Sequence, residues 1–162
     1  LNPQAAAEFA ARKRIGLIGA SAPEPRQLLL AETMGRLIAE NGFVLVNGGL
    51  KGVMEASARG AKSAGGRVIG ILPGKSPLEA NPFTDVAIAT GLGYLRNALV
   101  ALNSDALVAV AGSYGTLSEI AYTQIYGRKV FGIETWDIPG VTAVAGPEAA
   151  MAGILALFRG RD

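Results

Sequence analysis

Short apolar runs alternate with longer stretches of helical spacing along this chain, and glycine or proline punctuates almost every change between them. Ile15-Gly16-Leu17-Ile18-Gly19-Ala20-Ser21 reads as a strand ending in small residues. After a Pro23-Glu24-Pro25 turn, residues 28–41 carry Leu29, Met34, Leu37 and Ile38 at helical spacing and stop at Asn41-Gly42. Residues 43–46 are a second strand, followed at once by Asn47-Gly48-Gly49, and a helix over 52–64 closes at Gly65-Gly66. A third strand at 67–72 halts at Pro73-Gly74, and 75–82 is a loop with two prolines. The pattern then predicts a strand at 85–89, a helix at 93–103, a strand at 105–110 and a helix reaching Tyr126. A strand at 129–133, a loop at 136–140 and a helix at 147–158, with Pro147 in its first turn, complete the chain.

Strands that are apolar almost throughout, alternating with helices, describe a parallel sheet covered on both faces. The expected fold is therefore α/β: a Rossmann-like, doubly wound, mostly parallel sheet in three α/β/α layers. Residues 1–12 read as a flexible lead-in, disordered or loosely helical, and residues 13–160 as a single ligand-binding domain without internal repeats.

Composition narrows the chemistry. Half of the 162 residues are apolar and 17% are charged, which implies extensive burial and a subunit interface. Ala56, Ala58, Ala61 and Ala64 on one helix point to the same interface. The absence of cysteine excludes disulfides, thiolate metal sites and thiol nucleophiles. The absence of histidine removes the commonest general base and metal ligand, so no metal site is expected. A net charge of +2 is too small to argue for nucleic acid, and Arg12-Lys13-Arg14 reads as a solvated flank with no aromatic platform. No apolar run approaches the ~20 residues a bilayer requires, and the alanine-rich start lacks the apolar stretch of a secretory signal. The expected setting is cytoplasmic, without a membrane partner.

In such folds the ligand lies at the carboxyl ends of the strands, where the strand order reverses. Four loops of small or polar residues fall there: residues 19–22, 47–52, 73–75 and 111–116. In Ala111-Gly112-Ser113-Tyr114-Gly115-Thr116-Leu117-Ser118-Glu119 a strand breaks on glycines and restarts as a helix. Such a turn offers free N–H groups and a positive dipole end, a seat for phosphate or carboxylate. Thr116 can cap the helix or bind the anion. Glu119 is expected in the first turn, ionised, and facing another part of the ligand. Neither the three-glycine dinucleotide spacing nor a Walker loop is present. Ser21 is open to two readings, a helix cap or a ligand contact, and Lys51 reads as a solvated turn residue. Arg96 lies among Leu95, Leu99, Val100 and Leu102, which look core-like, so it either faces solvent or serves the site.

Asn47-Gly48-Gly49…Gly52-Val53-Met54, Arg96-Asn97 and the segment from Gly112 to Glu119 resemble the Lonely Guy family. These lysine-decarboxylase-like proteins are cytokinin-activating nucleoside 5′-monophosphate phosphoribohydrolases. The family carries Arg-Lys on one helix and Pro-Gly-Gly-x-Gly-Thr-x-x-Glu on the next strand–helix turn, and the similarity runs over residues 15–133. The resemblance implies that Arg96 and Glu119 are catalytic. It assigns phosphate and ligand binding to Gly112, Ser113, Tyr114, Gly115 and Thr116, with Gly48, Gly49, Ser21 and Asn97 close by. Arg96-Asn97 and Ser118-Glu119 replace the family's Arg-Lys and Glu-Glu, a variant nearer a sister branch that includes molybdenum-cofactor carrier proteins. Three activities follow: hydrolysis to base and ribose 5-phosphate, carriage of the molybdenum cofactor, or nucleotide sensing without turnover. The expected partner is a small nucleotide or pterin phosphate, with no required cofactor and the molybdenum cofactor only as a carried ligand. A homodimer or tetramer is implied.

Overall fold

A computed structural model describes residues 2–159, without the side chains of residues 5, 6, 9 and 10; the last residue of the expected 13–160 domain falls outside them. The lead-in contains helix α1 (Pro3–Ala11). Strands β1 (Arg14–Gly19), β2 (Val44–Asn47), β3 (Arg67–Leu72) and β4 (Val86–Ala89) alternate with helices α2 (Pro25–Glu40) and α3 (Val53–Ser63). Helix α4 (Asn97–Leu102), strand β5 (Ala106–Val110), helix α5 (Tyr114–Ile125), strands β6 (Val130–Ile133) and β7 (Val141–Ala143), and helix α6 (Pro147–Arg159) follow. All pairings are parallel in the order β4-β3-β2-β1-β5-β6-β7, which is the expected doubly wound sheet. Every residue of β2 and β5 is buried, as a sheet covered on both faces requires. The chain reverses direction across the sheet between β1 and β5, where Gly19 pairs with Val110. The cleft above that pair is where this fold opens to a ligand.

The two faces are built differently. Met34 and Ile38 of α2, Val53 and Ala56 of α3, and Met151 and Ile154 of α6 cover Ile15, Leu17, Leu45 and Val108 on one face. Val100 of α4 and Ile120 of α5 cover Ile18, Val46, Leu107 and Ala109 on the other. Helices α2 and α3 touch backbone to backbone: a Cβ on Gly35 would lie 2.0 Å from the Ser57 carbonyl oxygen, and one on Gly60 would lie 1.9 Å from that of Glu32. Ala56, Ala58 and Ala61 are buried in this contact. Of the alanines expected at a subunit interface, Ala56, Ala58 and Ala61 therefore pack within the chain, and Ala64 is half-buried at the helix end.

Three local expectations change. Helix α2 begins at Pro25, because Glu24 and Gln27 form a reciprocal capping box and Pro25 occupies the first turn. The helix expected over 93–103 is divided into a 3₁₀ turn (Gly93–Arg96) and α4. The change of pitch turns Leu95 outward (68% exposed) and buries Arg96; Leu102 is exposed as well, whereas Val100 and Leu99 keep the expected core face. Strand β7 was not foreseen; three residues carry too little alternation to read. Among the described residues no helix is long and apolar enough to cross a membrane.

Candidate ligand site

A cavity of about 780 Å³ lies over the carboxyl ends of β1 and β5 and draws on the loops that follow β1, β2, β3 and β5. Ser21, Gly48, Arg96, Asn97, Ser113, Tyr114, Gly115, Thr116 and Glu119 line it, so distant sequence segments meet around one space. Gly49 and Gly112 do not line it; both shape the wall from behind. The Gly49 N–H is donated to Asn47 Oδ1 at 2.8 Å. Asn47 is fully buried and also bonds Met54 O and Ser57 Oγ through Nδ2, which holds the β2–α3 loop in place.

The turn after β5 combines unusual backbone torsions with unbonded N–H groups. Ala111 (φ +51°) and Gly112 (φ +111°) both leave the ordinary backbone regions. A Cβ on Gly112 would fall 2.3 Å from Thr116 Oγ1, so glycine is required there twice over, by torsion and by contact. Ser113 is the N-cap, but its side chain bonds no backbone group, and the buried Thr116 is the third helical residue rather than a cap. The first helical N–H to find an acceptor is that of Leu117, bonded to Ser113 O at 3.0 Å. Among the described residues, the N–H groups of residues 112–116 meet no intramolecular acceptor.

Arg96 and Glu119 are buried side by side in the cavity wall, 7% and 6% exposed. Arg96 donates from Nη1 to Asn97 Oδ1 (2.6 Å) and from Nη2 to Gly48 O (3.2 Å), while its Nε–H has no partner. A Cβ on Gly48 would collide with that guanidinium at 2.6 Å. Arg96 Nη1 stands 3.7 Å from Glu119 Oε1, an ionic contact beyond hydrogen-bonding reach. Burial pushes the Glu119 carboxyl up to about 8 against the opposing pull of Arg96. Burial likewise lowers Arg96, with Glu119 opposing. The expectation of an ionised first-turn carboxylate is thus corrected. Glu119 is the sixth residue of α5, one turn beyond the free N–H groups, and desolvation outweighs a single ionic contact that lacks a hydrogen bond. Burial thus moves this carboxyl toward neutral pH, with the Arg96 guanidinium opposing the shift.

Two of the departures from the Lonely Guy pattern, at Asn97 and Ser118, touch each other; the third replaces Pro-Gly-Gly by Ala111-Gly112-Ser113. Asn97 Nδ2 donates to Ser118 Oγ at 2.9 Å, and Ser118 Oγ donates to Gly115 O at 2.6 Å. A neutral hydrogen-bonded pair stands where the family has a lysine and a carboxylate, and Asn97 in turn steadies Arg96. Sequence reasoning also passed over Tyr94, which lines the cavity at 87% exposure, as Tyr114 does at 80%. Its signal was two glycines of positive φ, Gly91 and Gly93, ahead of an aromatic residue. Among the described residues no group of three or more acidic, histidine or cysteine side chains could hold a metal.

The chain is similar to an uncharacterized protein of Archaeoglobus fulgidus, 48% identical over 139 residues, with 85% of this chain and 91% of that one covered. It is 29% identical over 127 residues to the cytokinin riboside 5′-monophosphate phosphoribohydrolase of Mycobacterium tuberculosis, covering 72% of this chain and 68% of that one. Among solved structures, the molybdenum cofactor binding protein of Rippkaea orientalis superposes with a TM-score of 0.86 at 34% identity, covering 91% of this chain and 98% of that one. The sequence pattern of the SLOG cluster4 family matches residues 12–152, nearly the whole domain that carries the cavity, and the chain belongs to that family.

Proposed function

We propose that the cavity holds a phosphate monoester attached to a planar heterocycle, and that the chain hydrolyses a nucleoside 5′-monophosphate to free base and ribose 5-phosphate. One observation carries the reading: a carboxyl that burial raises and a guanidinium with an unpartnered N–H stand 3.7 Å apart, buried together in a cavity bordered by free amides. The helix end at residues 112–116 suits the phosphate. Tyr94 and Tyr114 suit the two faces of a ring. In the reaction the C1′–N bond breaks and its electron pair leaves with the base. Glu119 gives its proton to that base as a general acid. Water adds to the oxocarbenium carbon and returns a proton to the carboxylate, which restores the starting state. Arg96 stabilises the transient carboxylate and holds the ligand. The Mycobacterium tuberculosis relative, by its name, performs this reaction class.

Incubation with AMP and other nucleoside monophosphates, followed by chromatography for free base, tests the proposal. Base release that disappears in Glu119→Gln supports it; no release from any monophosphate removes hydrolysis. The neutral Asn97–Ser118 contact favours a second reading, carriage of the molybdenum cofactor, a pterin bearing a phosphate. The likeness to the Rippkaea orientalis protein supports the same reading. Stoichiometric molybdenum and pterin fluorescence recovered with the protein would favour carriage, and their absence after cofactor loading would exclude it. AMP binding without turnover or pterin retention would leave sensing. A homo-oligomer remains part of the proposal, checked by sedimentation equilibrium.

A further inference from the structure

The segment between β6 and β7, residues 134–140, stands outside the cavity wall, yet it bonds the anion corner twice through side chains. Thr135 Oγ1 donates to Ala111 O, and Trp136 Nε1 donates to Ser113 O at 3.2 Å. The Trp136 ring lies 5.8 Å from that of Tyr114, tilted by 40°. The two strand ends are adjacent, since Val110 pairs with Ile133, and the next residue of each, Ala111 and Glu134, takes the same unusual φ of +51°. The Ala111 N–H closes the junction on Ile133 O at 3.0 Å.

A trans peptide is planar, with its C=O and N–H pointing in opposite directions. Anchoring Ala111 O therefore aims the Gly112 N–H, and Ser113 O, which already accepts the Leu117 N–H at 3.0 Å, gains from Trp136 a second anchor that aims the Tyr114 N–H. A turn with two positive φ values is open to peptide flips, which would present a carbonyl to an anion where a donor is needed. The two side-chain bonds oppose those flips from behind. We propose that Thr135 and Trp136 are positioning residues of the phosphate corner, which lock two of its amide donors before a phosphate monoester arrives. This rests on the anion reading above and adds to it the device that pre-organises the site.

Calorimetric titration of AMP, inorganic phosphate and adenosine into wild type, Thr135→Val, Thr135→Ser and Trp136→Phe tests it. Thr135→Val and Trp136→Phe keep most of the volume and lose the donor. Each should weaken AMP and phosphate roughly five- to tenfold, about the contribution of one hydrogen bond, and leave adenosine binding unchanged. Thr135→Ser, which keeps the hydroxyl, should bind like wild type. Trp136 is the sole tryptophan of the chain, so its emission should change when AMP or phosphate binds to wild type and to Thr135→Val. Unchanged AMP affinity in both donor-lacking variants, or equal losses for AMP and adenosine, would overturn the positioning role. Wild type that binds neither AMP nor phosphate would overturn the anion reading itself and this inference with it. Should Trp136→Phe fail to fold by circular dichroism, Thr135→Val against Thr135→Ser decides alone.

Discussion

Two arginine–glutamate pairs occupy opposite sides of the sheet and behave oppositely. Arg59 and Glu32 join α3 to α2 at the surface with two hydrogen bonds, of 3.1 and 2.7 Å. That bonding lowers the Glu32 carboxyl and raises the Arg59 guanidinium from their ordinary values. Arg96 and Glu119 join the start of α4 to α5 at 3.7 Å, buried and without a hydrogen bond between them, and there the carboxyl rises to about 8. The residue types are the same. What differs is solvent and geometry: water and a hydrogen-bonded fork favour charge at the first pair, whereas desolvation without a fork disfavours it at the second. The α2–α3 layer places its charges in water and its alanines in contact, which serves stability. The α4–α5 layer buries Arg96, Asn97, Thr116 and Glu119 and leaves Tyr94, Leu95 and Ile125 outside, which serves a site.

The contrast breaks most sharply at Glu119. Replacement by glutamine should lower base release by about 10²–10⁴-fold, the usual share of a general acid or base, with AMP affinity retained. Hydrolysis unchanged in that variant would remove Glu119 from the reaction. The same variant tests the buried proton. Between pH 4.5, the ordinary carboxyl value, and about 8, folded wild type keeps the proton that the unfolded chain releases. Wild-type stability should therefore fall as pH rises through that window, and the slope should be absent in Glu119→Gln. Parallel melting curves for the two proteins across pH 4–9 would refute the raised carboxyl.

Arg96→Gln should weaken AMP binding by about 10–100-fold, as expected for losing hydrogen bonds from a charged donor; calorimetry showing wild-type affinity would place the guanidinium outside the ligand's reach. On the other face, Gly60→Ala forces a methyl group against the Glu32 carbonyl and should cost about 1–3 kcal/mol of stability, read from denaturant unfolding, without altering ligand affinity. The smallest effect belongs to the exposed pair. Arg59→Ala should cost about 0.2–1 kcal/mol and respond to salt, because both side chains remain largely solvated. A larger loss at Arg59 than at Gly60 would reverse the assignment of stability to packing on that face.

Much of the fold was legible because it rests on local rules. Apolar runs ending at or near glycine or proline marked β1, β2, β3 and β5, an apolar run alone marked β6, and their alternation with helices announced the parallel sheet. The anion turn was legible for the same reason: Gly112 answers a local torsion and a contact four residues away. The resemblance paired Arg96 with Glu119, and their meeting in one wall follows from the sheet order. Other features were beyond a linear reading. Leu95 and Leu102 looked like core because the eye assumes a continuous α-helix, and the 3₁₀ turn rotated the face. The alanines of α3 signalled a close contact but not its partner, which proved to be α2. The Thr135 and Trp136 bonds gave no motif at all, since each acts across the fold on residues far away in the chain.

By itself the order of residues determined most of the strands and helices, short β7 and the 3₁₀ turn before α4 excepted, and where the chain turns. These depend on torsional preference, capping and the period of apolar positions, all of which act within a few residues. Only the tertiary structure decided that burial raises the Glu119 carboxyl, that Asn97 and Ser118 bond each other, and that Trp136 bonds the turn after β5. Burial and long-range hydrogen bonds set those properties, and neither exists until the strands have found their neighbours.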